Sequence, residues 1–282
     1  MDPHVSVIMP ACRAERFLAA ALDSLAAQTH ESWELRVHED GVFDESAKVI
    51  AGFAARHPGR VFHTATPQNR GVSRTRNRLL DDAAGNCIAF LDADDTWEPD
   101  HLATALAAMD GAAADWYIAG MNEVGTDGRV RRANVCPPPL PVEALPAALL
   151  AHNFIPTTFV VLRRKIVDAG FRFDPQIVVG EDLDLWLRML GAGYVPALGS
   201  HATVNYRRHD SNTTNDTIRF HEEFTRVFEK HLLNSALPRG HCLRGVRLML
   251  SMAIRMTWRN EPKRALNSLG RICRAYWISF FG

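Results

Sequence analysis

Three acidic residues, Asp92, Asp94 and Asp95, follow directly on the apolar run Ile88-Ala89-Phe90-Leu91. Carboxylates crowded this closely repel one another unless a cation or a set of donors neutralises them. Oxygen ligands suit a hard ion such as Mg²⁺ or Mn²⁺, which takes its remaining ligands from water and phosphate. The plainer alternative is a solvated acidic turn capping the helix that starts near Pro99. A second group, Arg74, Arg76 and Arg78, lies on a helix expected over 73–83. Arginines at alternate positions cannot share one helical face, so some are solvated, while those in the first turn stand where an anion would sit. A third group, Glu181-Asp182, opens a helix whose dipole favours acids at that end.

The elements that must hold these groups are legible in order. Val5 to Met9 reads as a buried strand, leaving the core at Pro10. Phe17, Leu18, Ala21, Leu22 and Leu25 fall at helical spacing, so a helix covers the sheet. Trp33 to His38 gives a second strand ending in Glu39-Asp40-Gly41, and Asp44 and Ser46 open a second helix. Val61 to Thr64 is a third strand, and Ile88 to Leu91 a fourth. Strand and helix in alternation describe a parallel, doubly wound sheet, in which a polar cluster at the carboxyl ends of strands is the place for a ligand. Further on, Trp116–Met121 and Thr158–Leu162 are strand candidates and 99–109, 145–152 and 180–190 are helical. Cys136 to Pro141 is an extended loop, because successive prolines exclude helix and inner strand. Val204 to His209 reads as an edge strand and its exit.

Together these blocks resemble the family 2 glycosyltransferases, over roughly residues 4–210. Val5-Ser6-Val7-Ile8-Met9-Pro10 with Glu15-Arg16-Phe17-Leu18 resembles the family's opening block, and Gln28-Thr29, Trp33-Glu34-Leu35 and Glu39-Asp40-Gly41 the next. Asn69, Gly71, Val72, Ser73, Arg76 and Asn77 match the third; Asp92-Ala93-Asp94-Asp95-Thr96-Trp97 matches the metal block. Gly180-Glu181-Asp182 with Trp186 and Arg188 resembles the acceptor-side block. The resemblance implies a GT-A fold: a Rossmann-like nucleotide-binding half over 1–96, an acceptor-binding half over 97–214 and a mostly parallel central sheet. A helical, basic extension follows over 215–282.

The resemblance also implies roles. Pro10, Ala11 and Glu15 line the nucleoside pocket, Asp40 accepts a hydrogen bond from the base ring, and Asp92 with Ala93 meets the ribose or a metal-bound water. Asp94 ligates a divalent ion, Mg or Mn, that stabilises the leaving diphosphate. Arg74 or Arg76 adds a cationic contact to the same group. Asp182 is the general base and Glu181 orients the acceptor. An ordinary Asp, with a pKa of about 3.9, suffices because the acceptor hydroxyl acidifies as it attacks an oxocarbenium-like centre. One carboxylate opposite the leaving group predicts inversion at the anomeric carbon. His209 resembles a late block whose histidine approaches the diphosphate or metal, its plainer reading being structural. Trp186 reads as core. Cys12 and Arg13 depart from the family, which often has Tyr and Asn there, and this removes an aromatic surface for the base.

The formal net charge of 282 residues is zero, which gives no electrostatic signature of nucleic-acid binding. The five cysteines are scattered and odd in number, as expected of reduced thiols in a cytosol. The first strand begins too early for a signal peptide, and no apolar run is long enough to span a bilayer. After Pro238, cations from Arg239 to Arg274 alternate with aromatic and aliphatic residues and face a single acid, Glu261. This pattern suits peripheral contact with an anionic membrane, or helices packing on the catalytic domain or a second copy in a homodimer. The expected function is transfer of a sugar from a nucleoside diphosphate sugar, UDP-linked, to a hydroxyl of a glycan or lipid-linked saccharide on the cytoplasmic side of the envelope. A sugar nucleotidyltransferase is the nearest rival, but Pro10-Ala11-Cys12-Arg13-Ala14-Glu15 lacks that class's Gly-rich phosphate loop. A non-catalytic glycan-binding scaffold of the same fold is the other.

Overall fold

A computed structural model describes residues 4–41, 44–210, 212, 226–231 and 270. The chain divides into two compact units: one holds residues up to 139 with 155–175 and 194–210, the other holds 140–154, 176–193 and the C-terminal part.

The first unit is built on one nine-stranded sheet. β1 (Val5–Ala11), β2 (Trp33–Asp40), β3 (Val61–Thr66) and β4 (Cys87–Phe90) run parallel in the order β3-β2-β1-β4. Their connections are α1 (Leu18–Ala26), α2 (Ser46–Arg56) and α3 (Val72–Asp82), the crossovers that parallel neighbours require. β1 and β4 are buried on both faces because helices cover both. Leu18, Ala21, Leu22 and Leu25 of α1 share a core with Val5, Val7, Met9, Leu35, Val37, Ile50 and Phe53. Each of the larger side chains among them, fully buried, contributes about 1.5–3 kcal/mol. As anticipated, Asp44 opens α2: its carboxylate accepts the Ser46 amide at 2.8 Å.

Beyond β4 the sheet is mixed. β5 (Thr96–Trp97) is followed by α4 (His101–Gly111), β6 (Trp116–Val124) and β7 (Val130–Val135). β8 (Val160–Arg163) runs antiparallel to both β4 and β6, and leads into α6 (Arg164–Asp168), so named because α5 (Leu145–Ala151) precedes it in the chain. β9 (Pro196–Arg207) is parallel to β6 and antiparallel to β5. The segment expected as an edge strand, from Val204, is therefore the end of a longer strand paired on both flanks. Parallel order holds for the nucleotide-binding half and again at β6-β9, while β8 enters from the opposite direction.

The Gln28-Thr29 block is a brace. Gln28 donates to the Glu98 carbonyl at 2.8 Å and accepts the Leu102 amide at 3.0 Å, and the Thr29 amide donates to the Pro99 carbonyl. It ties the end of α1 to the segment that follows the acidic residues. Trp97 is also structural: its indole donates to the Thr158 carbonyl and its ring stacks on His101 at 4.4 Å.

His101 is fully enclosed, with Nδ1 2.9 Å from the Thr203 hydroxyl. Burial pushes its pKa down to about 3 from the ordinary 6.5, so the ring stays neutral in the folded chain. The unfolded chain binds the proton first, so the stability this ring contributes is whole above pH 6.5 and is lost as pH falls toward 3. The slope approaches about 1.4 kcal/mol per pH unit. Buried His38 is shifted the same way. Urea midpoints measured from pH 6.5 down to 4 are expected to fall less steeply in His101→Phe than in the parent chain. Parallel curves would contradict this account.

The second unit contains α5 and α7 (Glu181–Gly191), which pack together. Leu183, Leu185, Trp186, Leu187 and Met189 are buried, so Trp186 is core as expected. Apart from 226–231 and 270, the basic extension lies outside the described residues.

Candidate active site

Four parallel strands bring their carboxyl ends to one edge, and the predicted donor-side residues collect there. Asp40 ends β2 and is buried; its two oxygens accept the Arg70 amide at 2.8 Å and the Gly71 amide at 2.9 Å. It thus clamps the turn before α3; Oδ1 also accepts the Thr66 hydroxyl at 3.3 Å, and Oδ2 is the oxygen that retains acceptor capacity for a further donor. Gly41 is required beside it: φ is +82°, and a Cβ would lie 2.1 Å from the Asn69 amide nitrogen. Asn69 in turn donates to Cys12 Sγ at 3.3 Å, so the residue that departs from the family pattern helps hold the loop after β1. Pro10 lies within β1 opposite His38, with Ala11 buried beside it, and exposed Glu15 accepts the Glu45 amide at 3.4 Å.

The arginines of α3 separate as their spacing requires. Arg76 is buried and donates to Asp92 Oδ1 at 2.7 Å, with its guanidinium 5.3 Å from the Phe173 ring centroid. Arg74 and Arg78 are exposed. Of the two arginines considered for the phosphate, only Arg76 is tied to the acidic block by a hydrogen bond that the structure resolves.

His209 Nε2 lies 2.9 Å from Asp94 Oδ2. Two residues distant in sequence thus converge, and Phe17 packs on the imidazole with centroids 5.2 Å apart. The device that joins them is Asp95, a member of the acidic block to which the sequence assigned no role of its own. Asp95 is buried and its Oδ1 accepts the Arg207 amide at 2.8 Å, while Arg207 Nε donates to the Asp94 carbonyl at 2.8 Å. The end of β9, and His209 just beyond it, is therefore fastened to the acidic block. Burial, then the Asp92 charge, raises the Asp94 carboxyl despite its bond to His209; burial and the charges of Asp94 and Asp92 push Asp95 up further.

That excess of crowded negative charge is what a divalent cation relieves. Among the described residues no three His, Cys, Asp or Glu side chains form a closed metal cage. Asp94 and His209 would offer such an ion one oxygen and one nitrogen, a sparse set that, completed by water and phosphate oxygens, fits Mn²⁺ better than the oxygen-preferring Mg²⁺.

Residues 6–171 match the family model described as glycosyl transferase family 2. The chain belongs to that family. This glycosyltransferase is 29% identical over 199 residues to the Escherichia coli protein named UDP-Glc:alpha-D-GlcNAc-diphosphoundecaprenol beta-1,3-glucosyltransferase WfgD, covering 70% of this chain and 74% of that one. Its fold matches Staphylococcus aureus TarS solved with UDP, at a TM-score of 0.70 and 20% identity, over 96% of this chain and 80% of the other. It also matches the Pyrobaculum calidifontis mannosyltransferase PcManGT, solved with GDP-Man and Mn²⁺, at a TM-score of 0.65 and 14% identity, over 100% and 88%. These likenesses establish the GT-A fold. The chain spans little more than half the length of some curated relatives, 54% in one case and 57% in another.

In the second unit of the glycosyltransferase, Gly180 takes φ +85° and α7 begins at Glu181. Asp182 Oδ1 accepts Asn153 Nδ2 at 3.1 Å and the Leu183 amide at 2.7 Å. Asn153, on the loop after α5, is a second residue the sequence reading missed; a lone Asn after a helix carries no signal of such a contact. Among the described residues, no helix is long and apolar enough to cross a membrane.

Proposed function

We propose that this family 2 glycosyltransferase transfers a sugar, with inversion and metal assistance, from a UDP-sugar to a hydroxyl of a glycan or lipid-linked saccharide of the cell envelope. The observation that carries the reading is the meeting, at the carboxyl edge of a parallel sheet, of an Asp94–His209 pair with an Arg76–Asp92 pair. The relatives point the same way: TarS was solved with UDP, and WfgD is named for a UDP-linked donor and a diphosphoundecaprenol acceptor.

Residues 1–96 hold the donor and 97–214 the acceptor. Pro10, Ala11, Glu15 and Asp40 surround the nucleoside, Asp92 and Ala93 meet the ribose, and Arg76, aided by Arg74, offers positive charge to the diphosphate. Asp94 and His209 would hold a divalent ion, whose contribution would be Lewis-acid stabilisation of the departing phosphate. Asp182 takes the proton of the acceptor hydroxyl as its oxygen bonds to the anomeric carbon and the bond to the diphosphate breaks. Glu181 orients the acceptor. The enzyme works in the cytosol, and its basic C-terminal residues favour contact with the anionic inner face of the membrane.

The experiment is nucleotide release from a panel of UDP-, GDP- and TDP-sugars with lipid-linked saccharide acceptors. UDP release that requires both acceptor and divalent ion is expected. Release of pyrophosphate from a nucleoside triphosphate and a sugar phosphate would instead establish the nucleotidyltransferase reading.

A further inference from the structure

Asp184, two residues beyond the proposed base, is wholly buried. Its Oδ2 accepts Arg188 Nε at 2.9 Å, and Arg188 Nη2 lies 2.8 Å from the same oxygen. Its Oδ1 is 2.8 Å from Lys230 Nζ and 3.0 Å from His231 Nε2. Burial alone would raise this carboxyl, but the His231 hydrogen bond, the Arg188 charge and the Lys230 hydrogen bond outweigh it and hold the group well below the usual carboxylate range. The helical residues 226–231 are therefore attached to α7 by charge as well as by packing. Val227 and Phe228 are buried, and a Cβ on Gly180 would stand 3.4 Å from Val227 Cγ2.

A buried ion network is a poor way to gain stability, since a well-packed apolar group does as well. What it fixes is orientation. Residues two apart on a helix project about 200° from one another, so Asp182 and Asp184 face nearly opposite ways. An anchor on Asp184 sets the rotation of the first turn of α7, while Asn153 holds the Asp182 carboxylate from its own side.

We infer that Asp184, gripped by Arg188, Lys230 and His231, is a positioning residue for Asp182, and that residues 226–231 are a working part of the acceptor-side unit. The inference rests on the proposed role of Asp182 as base.

The test uses the full chain and compares Asp184→Asn, Lys230→Met and Lys230→Arg with the parent and with Asp182→Asn, each assayed well below its own Tm. Asp184→Asn and Lys230→Met are expected to lower kcat about ten-fold or more, as small misplacements of a reacting group do. The donor KM should stay within about two-fold, and Lys230→Arg should recover most of kcat. A purely structural contact would lower Tm and leave kcat per folded molecule unchanged, which would overturn the inference. Lys230→Met provides the same reading if Asp184→Asn does not fold. Full activity in Asp182→Asn would overturn the base assignment and the inference with it. Loss in Asp182→Asn beside unchanged kcat in Asp184→Asn and Lys230→Met would overturn the inference alone.

Discussion

Asp182→Asn is expected to lower kcat by about 10²–10⁴-fold, the contribution of a positioned general base, while leaving the donor KM and UDP binding close to those of the parent. The amide has nearly the shape of the carboxylate, and its oxygen can still accept from Asn153 and from the Leu183 amide, as Asp182 Oδ1 does now. The start of α7 should therefore keep its form. What disappears is the capacity to take a proton from the acceptor hydroxyl. Steady-state kinetics over a range of donor concentrations separates the cases: a raised KM with unchanged kcat would mean that Asp182 binds substrate and moves no proton.

Asp94→Asn is expected to remove transfer almost completely and to abolish any dependence of the residual rate on Mn²⁺ concentration. The neutral amide is a weak ligand for a hard ion, and the substitution also loosens the pairing with His209 Nε2. Relief of crowding among the acids works in the opposite direction for the fold, because burial and neighbouring charge already disfavour the Asp94 carboxylate. The variant should thus be at least as stable to urea as the parent while inactive. Retained transfer would support a non-catalytic or metal-independent role for the acidic block.

The nucleotide-binding half was readable in the amino-acid order because local pattern and final environment agree there. The apolar runs of β1 and β4, the alternating run of β2 and the short β-branched and aromatic run of the largely exposed β3 are each followed by helical spacing or a turn. The second half resisted for physical reasons. β9 starts at Pro196 and carries Gly199, Ser200 and His201 through its middle, so no apolar alternation announces it. β7 is exposed along nearly its whole length, and β5 has two residues. The direction of β8 depends on pairing with β4 and β6, which no local signal encodes.

The same contrast holds for the site. Asp94 and His209 could be singled out by residue type and by resemblance. Asp95 could not, because a third acid in a row looks like its neighbours until Arg207, 112 positions later, comes to lie on it. Asp184 likewise looks like another helix-start acid, and its partners Lys230 and His231 are far along the chain.

The most direct measurement of the central claim is a thermal-shift titration with UDP, GDP and TDP, each with and without Mn²⁺, on the parent chain and on Asp94→Asn. A ligand that binds only the native form raises Tm in proportion to the logarithm of its concentration over Kd. The account predicts that UDP with Mn²⁺ stabilises the parent most, and that Asp94→Asn loses the metal-dependent part of the shift. Equal shifts with and without Mn²⁺ in both proteins would contradict it.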